Sequence, residues 1–312
     1  MPFCSFRFFM KPFILIFSPI LTFLAVPLTE RLAKFTGAVD RAGDERKIHT
    51  NDTPRLGGLS FFSVFFLSTV LLFRPTGIVA AVLAGGALVV AAGVIDDTYT
   101  LPPYPKLFLQ VCAAAVALSF IEPPKTLELL SFIEIPLAPR LAYLFALTRI
   151  VFLINAVNFS DGLDGLAAGL ATVALLSLSA YSLIRGISDA SLISLILALT
   201  VIGFLPHNRY HAKTFMGDCG SQFLGFAIAT IGIYSSKSAL SGEAALFIFI
   251  PALDVWFSTL RRIFKRTSPF HADKGHIHHL LISHGVAHPD AVKLLVFAGV
   301  LFAAAGLLIA NS

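Results

Sequence analysis

Apolar positions along this chain come in long blocks separated by short polar connections. The blocks run over 12–28, 57–73, 78–95, 106–121, 141–156, 166–184, 192–205, 222–234, 244–260 and 291–309. A hydrocarbon layer of roughly 30 Å takes about 20 helical residues at 1.5 Å each, so the shorter blocks are expected to extend into their polar flanks. The pattern predicts an all-α polytopic membrane protein of about ten transmembrane helices, with nine or eleven open to a single merge or split. The first block follows Arg7 and Lys11 as a signal peptide would, but no small-residue cleavage site precedes Glu30 and Arg31. It is read as a retained span. Residues 1–312 are expected to form one integral-membrane domain.

Composition supports that reading. With 56% apolar and 13% charged residues and a mean hydropathy of +0.83, the chain has too little polar surface for a soluble globule. Cys4, Cys112 and Cys219 have no paired or metal-ligand spacing, which argues against a disulfide scaffold or a zinc site. Charge orients the spans. Alternate connections collect most of the lysines and arginines, from Arg31 and Arg46 through Lys106 and Arg209 to Arg261 and Lys274. By the positive-inside rule these face the cytoplasm and both termini lie outside. The same face receives Asp96, Asp97, the segment 155–164, Asp218 and every histidine from His49 to His288. One membrane face is therefore expected to hold the chemistry.

Five stretches carry that chemistry. In "GVIDDTYTLPPYPKL" the paired Asp96 and Asp97 end an apolar span, and Lys106 opens the next. A solvated helix end is the plain alternative, but carboxylates at membrane depth are costly unless paired or metal-bound. In "NAVNFSDGLDGLAAG", Asn155, Asn158, Asp161 and Asp164 recur every three residues. Asn155 and Asn158 share a helix face, and Asp164 is a candidate helix cap. Such oxygens suit Mg²⁺, which takes carboxylate, amide and phosphate donors. In "KTFMGDCGSQFLG", Asp218 sits between glycines at a helix start, a phosphate perch or an ordinary cap. In "DKGHIHHLL", His276, His278 and His279 match no standard zinc spacing and are set to donate hydrogen bonds to phosphates beside a basic run. In "ERKIHTNDTPRLGG", Arg46, His49 and Arg55 make a basic rim, and Gly57 with Gly58 permits tight helix packing.

Together these motifs resemble the polyprenyl-phosphate N-acetylhexosamine-1-phosphate transferases, a glycosyltransferase family 4 group, over about Arg46 to His279. The resemblance implies a cytoplasm-facing active-site cleft in the bacterial inner membrane. It implies transfer of an N-acetylhexosamine-1-phosphate, most commonly GlcNAc-1-phosphate, from a UDP-sugar to undecaprenyl phosphate, releasing UMP. Asp96, Asp97, Lys106, Asp161 and Asp164 then fall to catalysis. Asn158 and Asp218 become ligands of Mg²⁺, with Mn²⁺ as a substitute. Asn155, His276, His278, His279, Arg46, His49 and Arg55 become substrate contacts. The expected partners are polyprenyl phosphate, a UDP-N-acetylhexosamine and the membrane, with a homodimer open and no nucleic acid. A modified hexosamine or muramyl-pentapeptide donor is the nearest alternative. An ion-coupled transporter is the rival from another class, but it needs polar groups near mid-span and a repeat between halves, and the sequence shows neither. "PHNRYHAK" departs from the family form, with His211 where proline is usual.

Overall fold

The computed structural model describes residues 2–40, 52–130, 133–264 and 275–312. Arg46, His49 and Lys274 lie outside the described residues. The chain runs α1 (Pro2–Thr36), β1 (Val39–Asp40), β2 (Thr53–Pro54), α2 (Gly58–Leu72), α3 (Gly77–Tyr99) and α4 (Pro103–Phe120). It continues through β3 (Thr126–Leu130), β4 (Ile133–Pro136), α5 (Pro139–Phe159), α6 (Leu166–Ile184), α7 (Ser188–Asn208) and α8 (Gly217–Ser236). After β5 (Ser238–Ser241) come α9 (Gly242–Leu246), α10 (Phe249–Phe264), α11 (Ile277–Ser283) and α12 (His288–Ala310).

Among the described residues seven helices are long and apolar enough to cross a membrane: α1 over Met10–Thr36, then α3, α4, α5, α6, α7 and α12. The protein is a helical, multi-pass membrane protein. The other three blocks took different forms. Block 57–73 became α2, whose 15 residues span only about 22 Å at 1.5 Å each. Block 222–234 lies inside α8, in which every residue from Gly217 to Ile233 is buried. Lipid does not touch it, so it tolerates Ser221, Gln222 and Thr230. Block 244–260 is not one continuous helix. Pro251 has no N–H for the carbonyl of Phe247 and its ring would clash there, and the chain breaks between α9 and α10. On α10, Asp254, Ser258 and Arg262 are buried, whereas Trp256, Phe257, Leu260 and Phe264 are exposed.

α8 is the centre of the bundle, packed against α3, α5, α6 and α2. Small residues let it be approached closely. A Cβ at Gly58 would run into the backbone of Gly220, and one at Gly93 into that of Cys219. Beside these contacts Phe61 meets Phe204 edge-on at 5.5 Å and Phe62 meets Phe223 at 4.9 Å. The end of α3 is thereby held over the start of α8.

The opposite end carries a small sheet that the sequence did not predict, with strand order β4-β3-β5. β3 pairs antiparallel with β4 and parallel with β5. The Glu128 amide donates to Ser238 Oγ at 3.0 Å, and Arg185 pairs with the buried Glu128 carboxylate at 3.3 Å. Buried Arg149 donates to the Ala239 carbonyl at 3.4 Å.

Candidate active site

The polar ends of α3, α4, α5 and α8 meet at one end of the bundle, and His276 with the first turn of α11 lies beside them. A cavity of about 670 Å³ lies there. Asp96, Lys106, Asn155, Asn158, Asp161, His276, His278 and His279 line it, with Gln110, Phe159 and Arg262. Eight of the residues singled out from sequence thus share one space.

Asp96 shapes the entry. One of its oxygens accepts the Leu101 amide at 2.6 Å and the other accepts Lys106 Nζ at 3.0 Å. The carboxylate therefore closes the turn between α3 and α4, which Pro102 and Pro103 start cleanly because an N-terminal proline sacrifices no helical bond. Lys106 also pairs with Asp218. Its ammonium thus bridges carboxylates of α3 and α8.

Asp97 does not line the cavity. Its two oxygens accept the amides of Asp218 at 2.9 Å and Cys219 at 3.0 Å. A carboxylate from α3 thus satisfies the free N–H groups at the start of α8, where the helix dipole favours negative charge. Arg55 Nε lies 3.9 Å from the same carboxylate. Burial disfavours the Arg55 cation, but Asp97 and Asp218 outweigh it and raise its pKa.

The α5–α6 connection separates two aspartates that look alike in sequence. Asp161 faces the cavity. Burial first, then the neighbouring Asp218, push its pKa well above the usual carboxylate range. Asp164 is buried and accepts the Ala212 amide at 3.0 Å, while its own amide donates to His288 Nε2 at 3.3 Å. The expected cap at Asp164 is not formed. α6 starts from Gly165 at φ 80°, a left-handed conformation with no side-chain cap. Asp218 likewise does not cap α8, since Met216 holds that position without a side-chain bond. Instead its carboxylate accepts Gln222 Nε2 at 2.8 Å.

Asp254 has a defined place in this site. Its oxygens meet His276 Nδ1 at 2.8 Å and the Ile277 amide at 2.7 Å, which ties the histidine segment to α10. His276 stacks on Phe159 at 5.6 Å and on His278 at 5.7 Å. His278 is 3% exposed and its ring covers Gly162. Burial, reinforced by His279, lowers its pKa to about 4. It is a neutral imidazole at physiological pH.

Sequence reasoning missed Gln110 and Gln222. The available signal was a glutamine inside each of two apolar spans, an expensive choice unless the amide is used.

Asn158, Asp161 and Asp218 offer oxygen atoms as ligands, and Asp161 lies near the Asp218 carboxylate, which together with burial raises its pKa. Both facts suit a hard cation. Among the described residues no three histidine, cysteine or acidic side chains converge as a ready cage. Asp97 is turned onto backbone amides, and Asp218 onto Lys106 and Gln222.

Comparison with known proteins bears directly on this arrangement. The family model described as glycosyl transferase family 4 matches residues 79–236, which hold α3, α5, α8 and most of the site. The chain belongs to glycosyl transferase family 4. A probable undecaprenyl-phosphate N-acetylglucosaminyl 1-phosphate transferase of Bacillus subtilis is 31% identical over 94% of this chain and 83% of its own length. A decaprenyl-phosphate N-acetylglucosaminephosphotransferase of Mycobacterium leprae is 34% identical over 88% of this chain and 78% of its own. An undecaprenyl-phosphate alpha-N-acetylglucosaminyl 1-phosphate transferase of Escherichia coli K12 is 29% identical over 95% and 82%. In this family member, the matched region ends at Ser236, so the α10 and α11 walls of the cavity lie beyond it.

Proposed function

We propose that this family 4 member transfers GlcNAc-1-phosphate from UDP-GlcNAc to undecaprenyl phosphate, giving undecaprenyl-diphospho-GlcNAc and UMP. By name its relatives transfer N-acetylglucosamine phosphate with undecaprenyl or decaprenyl phosphate, and a UDP-sugar is the donor in this reading. The choice of GlcNAc and of the undecaprenyl chain is the finer step. The observation that carries the reading is the single cavity in which Asp96, Lys106, Asn158, Asp161 and three histidines converge at helix ends. Ion-coupled transport would call for such groups near mid-span.

The reaction brings two phosphate-bearing anions together. A phosphate monoester has its second pKa near 6, so a dianionic lipid phosphate is a competent nucleophile near neutral pH without a strong protein base. Its oxygen attacks the β-phosphorus of the sugar nucleotide, and the bond to the α-phosphate oxygen breaks as UMP departs. Lys106 sits where it can neutralise an incoming phosphate, and Arg262 and His279 line the same cavity. Neutral His278 is able to donate one N–H without adding charge. Asp97 fixes the start of α8 and so the placement of Asp218. Asn158, Asp161 and Asp218 would hold Mg²⁺, or Mn²⁺ in its place. Bound there, the ion would neutralise diphosphate oxygens and polarise the phosphorus under attack.

The site end is assigned to the cytoplasm by the positive-inside rule, with both termini outside. Ten crossings follow if α2, α8 and the α9–α10 pair complete the set of seven. The test is radiolabel transfer from a panel of UDP-N-acetylhexosamines to undecaprenyl phosphate by the purified protein, with Mg²⁺ and with EDTA. The expected result is diphospholipid from UDP-GlcNAc that EDTA abolishes. Product from a different donor alone would correct the sugar, and no product from any donor in a folded, lipid-supplied preparation would overturn the reading.

A further inference from the structure

Gln110 of α4 and Gln222 of α8 are 2% and 1% exposed. A buried primary amide costs free energy unless its donors and acceptor are engaged. Here they are engaged in sequence. Asn155 Nδ2 donates to the Val151 carbonyl at 2.8 Å and to Gln110 Oε1 at 2.8 Å. Gln110 Nε2 donates to Gln222 Oε1 at 3.0 Å and, at the longer distance of 3.5 Å, back to Asn155 Oδ1. Gln222 Nε2 donates to Asp218 Oδ2 at 2.8 Å.

The direction of this chain is forced at both ends. The Val151 carbonyl and the Asp218 carboxylate only accept hydrogen bonds. Asn155 must therefore turn its nitrogen toward α4, which leaves Gln110 nitrogen for Gln222, and Gln222 nitrogen for the carboxylate. A flip of any one amide would place two like groups face to face at one of its ends.

We propose that Gln110 and Gln222 are positioning residues that hold the Asp218 carboxylate in register with the Asn155–Asn158 turn of α5. This rests on the reading of Asn158 and Asp218 as cation ligands. Lys106 and Gln222 approach the same oxygen of Asp218. A cation arriving at Asp218 repels the Lys106 ammonium but not the neutral Gln222 amide. The amide is thus the contact that persists through cation binding, and the relay fixes the distance between ligands on two helices.

The test uses the purified full chain and Mn²⁺ as the probe, with free Mn²⁺ followed by electron paramagnetic resonance, so that binding is read apart from turnover. Gln222→Met and Gln110→Met keep length and remove the hydrogen bonds. Each is expected to weaken Mn²⁺ binding by about ten- to a hundred-fold, the range for groups that orient a metal ligand. The double variant is expected to be no weaker than the worse single one, because both cut the same chain. The Mg²⁺ concentration for half-maximal transfer should rise in parallel, with the KM for lipid phosphate unchanged. Lower melting temperature with wild-type Mn²⁺ affinity in the folded fraction would reduce the glutamines to packing and overturn the proposal. Should Gln222→Met fail to fold, Gln110→Met, one link further from the carboxylate, carries the same prediction. A wild-type chain with neither Mn²⁺ binding nor Mg²⁺-dependent transfer would instead refute the cation site itself, and the relay with it.

Discussion

The two ends of the bundle bury charge in opposite ways. At the sheet end Glu128 faces Arg185, its amide is held by Ser238, and Arg149 reaches a backbone carbonyl. Burial raises the Glu128 pKa and Arg185 draws it back. At the other end, among the described residues, Asp96, Asp97, Asp161 and Asp218 gather around Lys106 and Arg55, four carboxylates against two cations. A charge met by its counter-ion holds structure together. A surplus of one sign beside a cavity suits a ligand of the other sign.

The sharpest way to break this contrast is Asp218→Asn. Loss of one electrostatic group at a reacting centre costs about a hundred- to a thousand-fold in turnover, and transfer kinetics should show that loss at a nearly unchanged melting temperature. Wild-type turnover would mean that the surplus charge serves packing. Arg185→Met should do the reverse. It leaves Glu128 buried without its cation, so stability to thermal unfolding should fall by about 1–3 kcal/mol, with turnover per folded molecule unchanged.

pH sharpens the comparison further. A group whose pKa is raised by folding contributes its full stability below its unfolded value and loses it as pH rises through the folded one. The Arg185→Met defect should therefore grow as pH rises through the Glu128 transition. By the same sign, Asp161→Asn should raise the melting temperature at neutral pH, and the gain should vanish at acid pH where the native aspartate is protonated, although transfer is impaired throughout. The smallest effect belongs to neither end. The exposed pair Lys293–Asp290, 3.0 Å apart on α12, should change stability by no more than about 0.5 kcal/mol when Lys293 becomes Ala.

The site was more legible than the fold that holds it. Motif residues such as Asp96, Asn158, Asp161 and His276 carry side chains whose cost in a membrane declares a use, and they do line one cavity. Their individual tasks were not readable. Asp96 and Asp97 are neighbours in sequence, yet one closes its own turn and the other reaches the amides of α8. Asp161 and Asp164 diverge in the same way, because a partner at Ala212 lies 48 residues further along. Seven spans announced themselves by apolarity. The fate of α8 was hidden because a helix surrounded by protein needs no lipid-like surface. Pro251 is the signal in block 244–260 for the break between α9 and α10, a position the apolar pattern alone does not register. The strands β3 and β5 were invisible because their partner is another distant connection.

That last pairing bears on how the protein is made. β3 cannot find its parallel neighbour until α5, α6, α7 and α8 have been synthesised, since Ser238 lies 110 residues beyond Glu128. Until then one edge of the β3–β4 hairpin is open and Glu128 lacks the hydroxyl that receives its amide. Closing the sheet is therefore a late step of biogenesis, taken after the helices that carry Asn158 and Asp218 have been made.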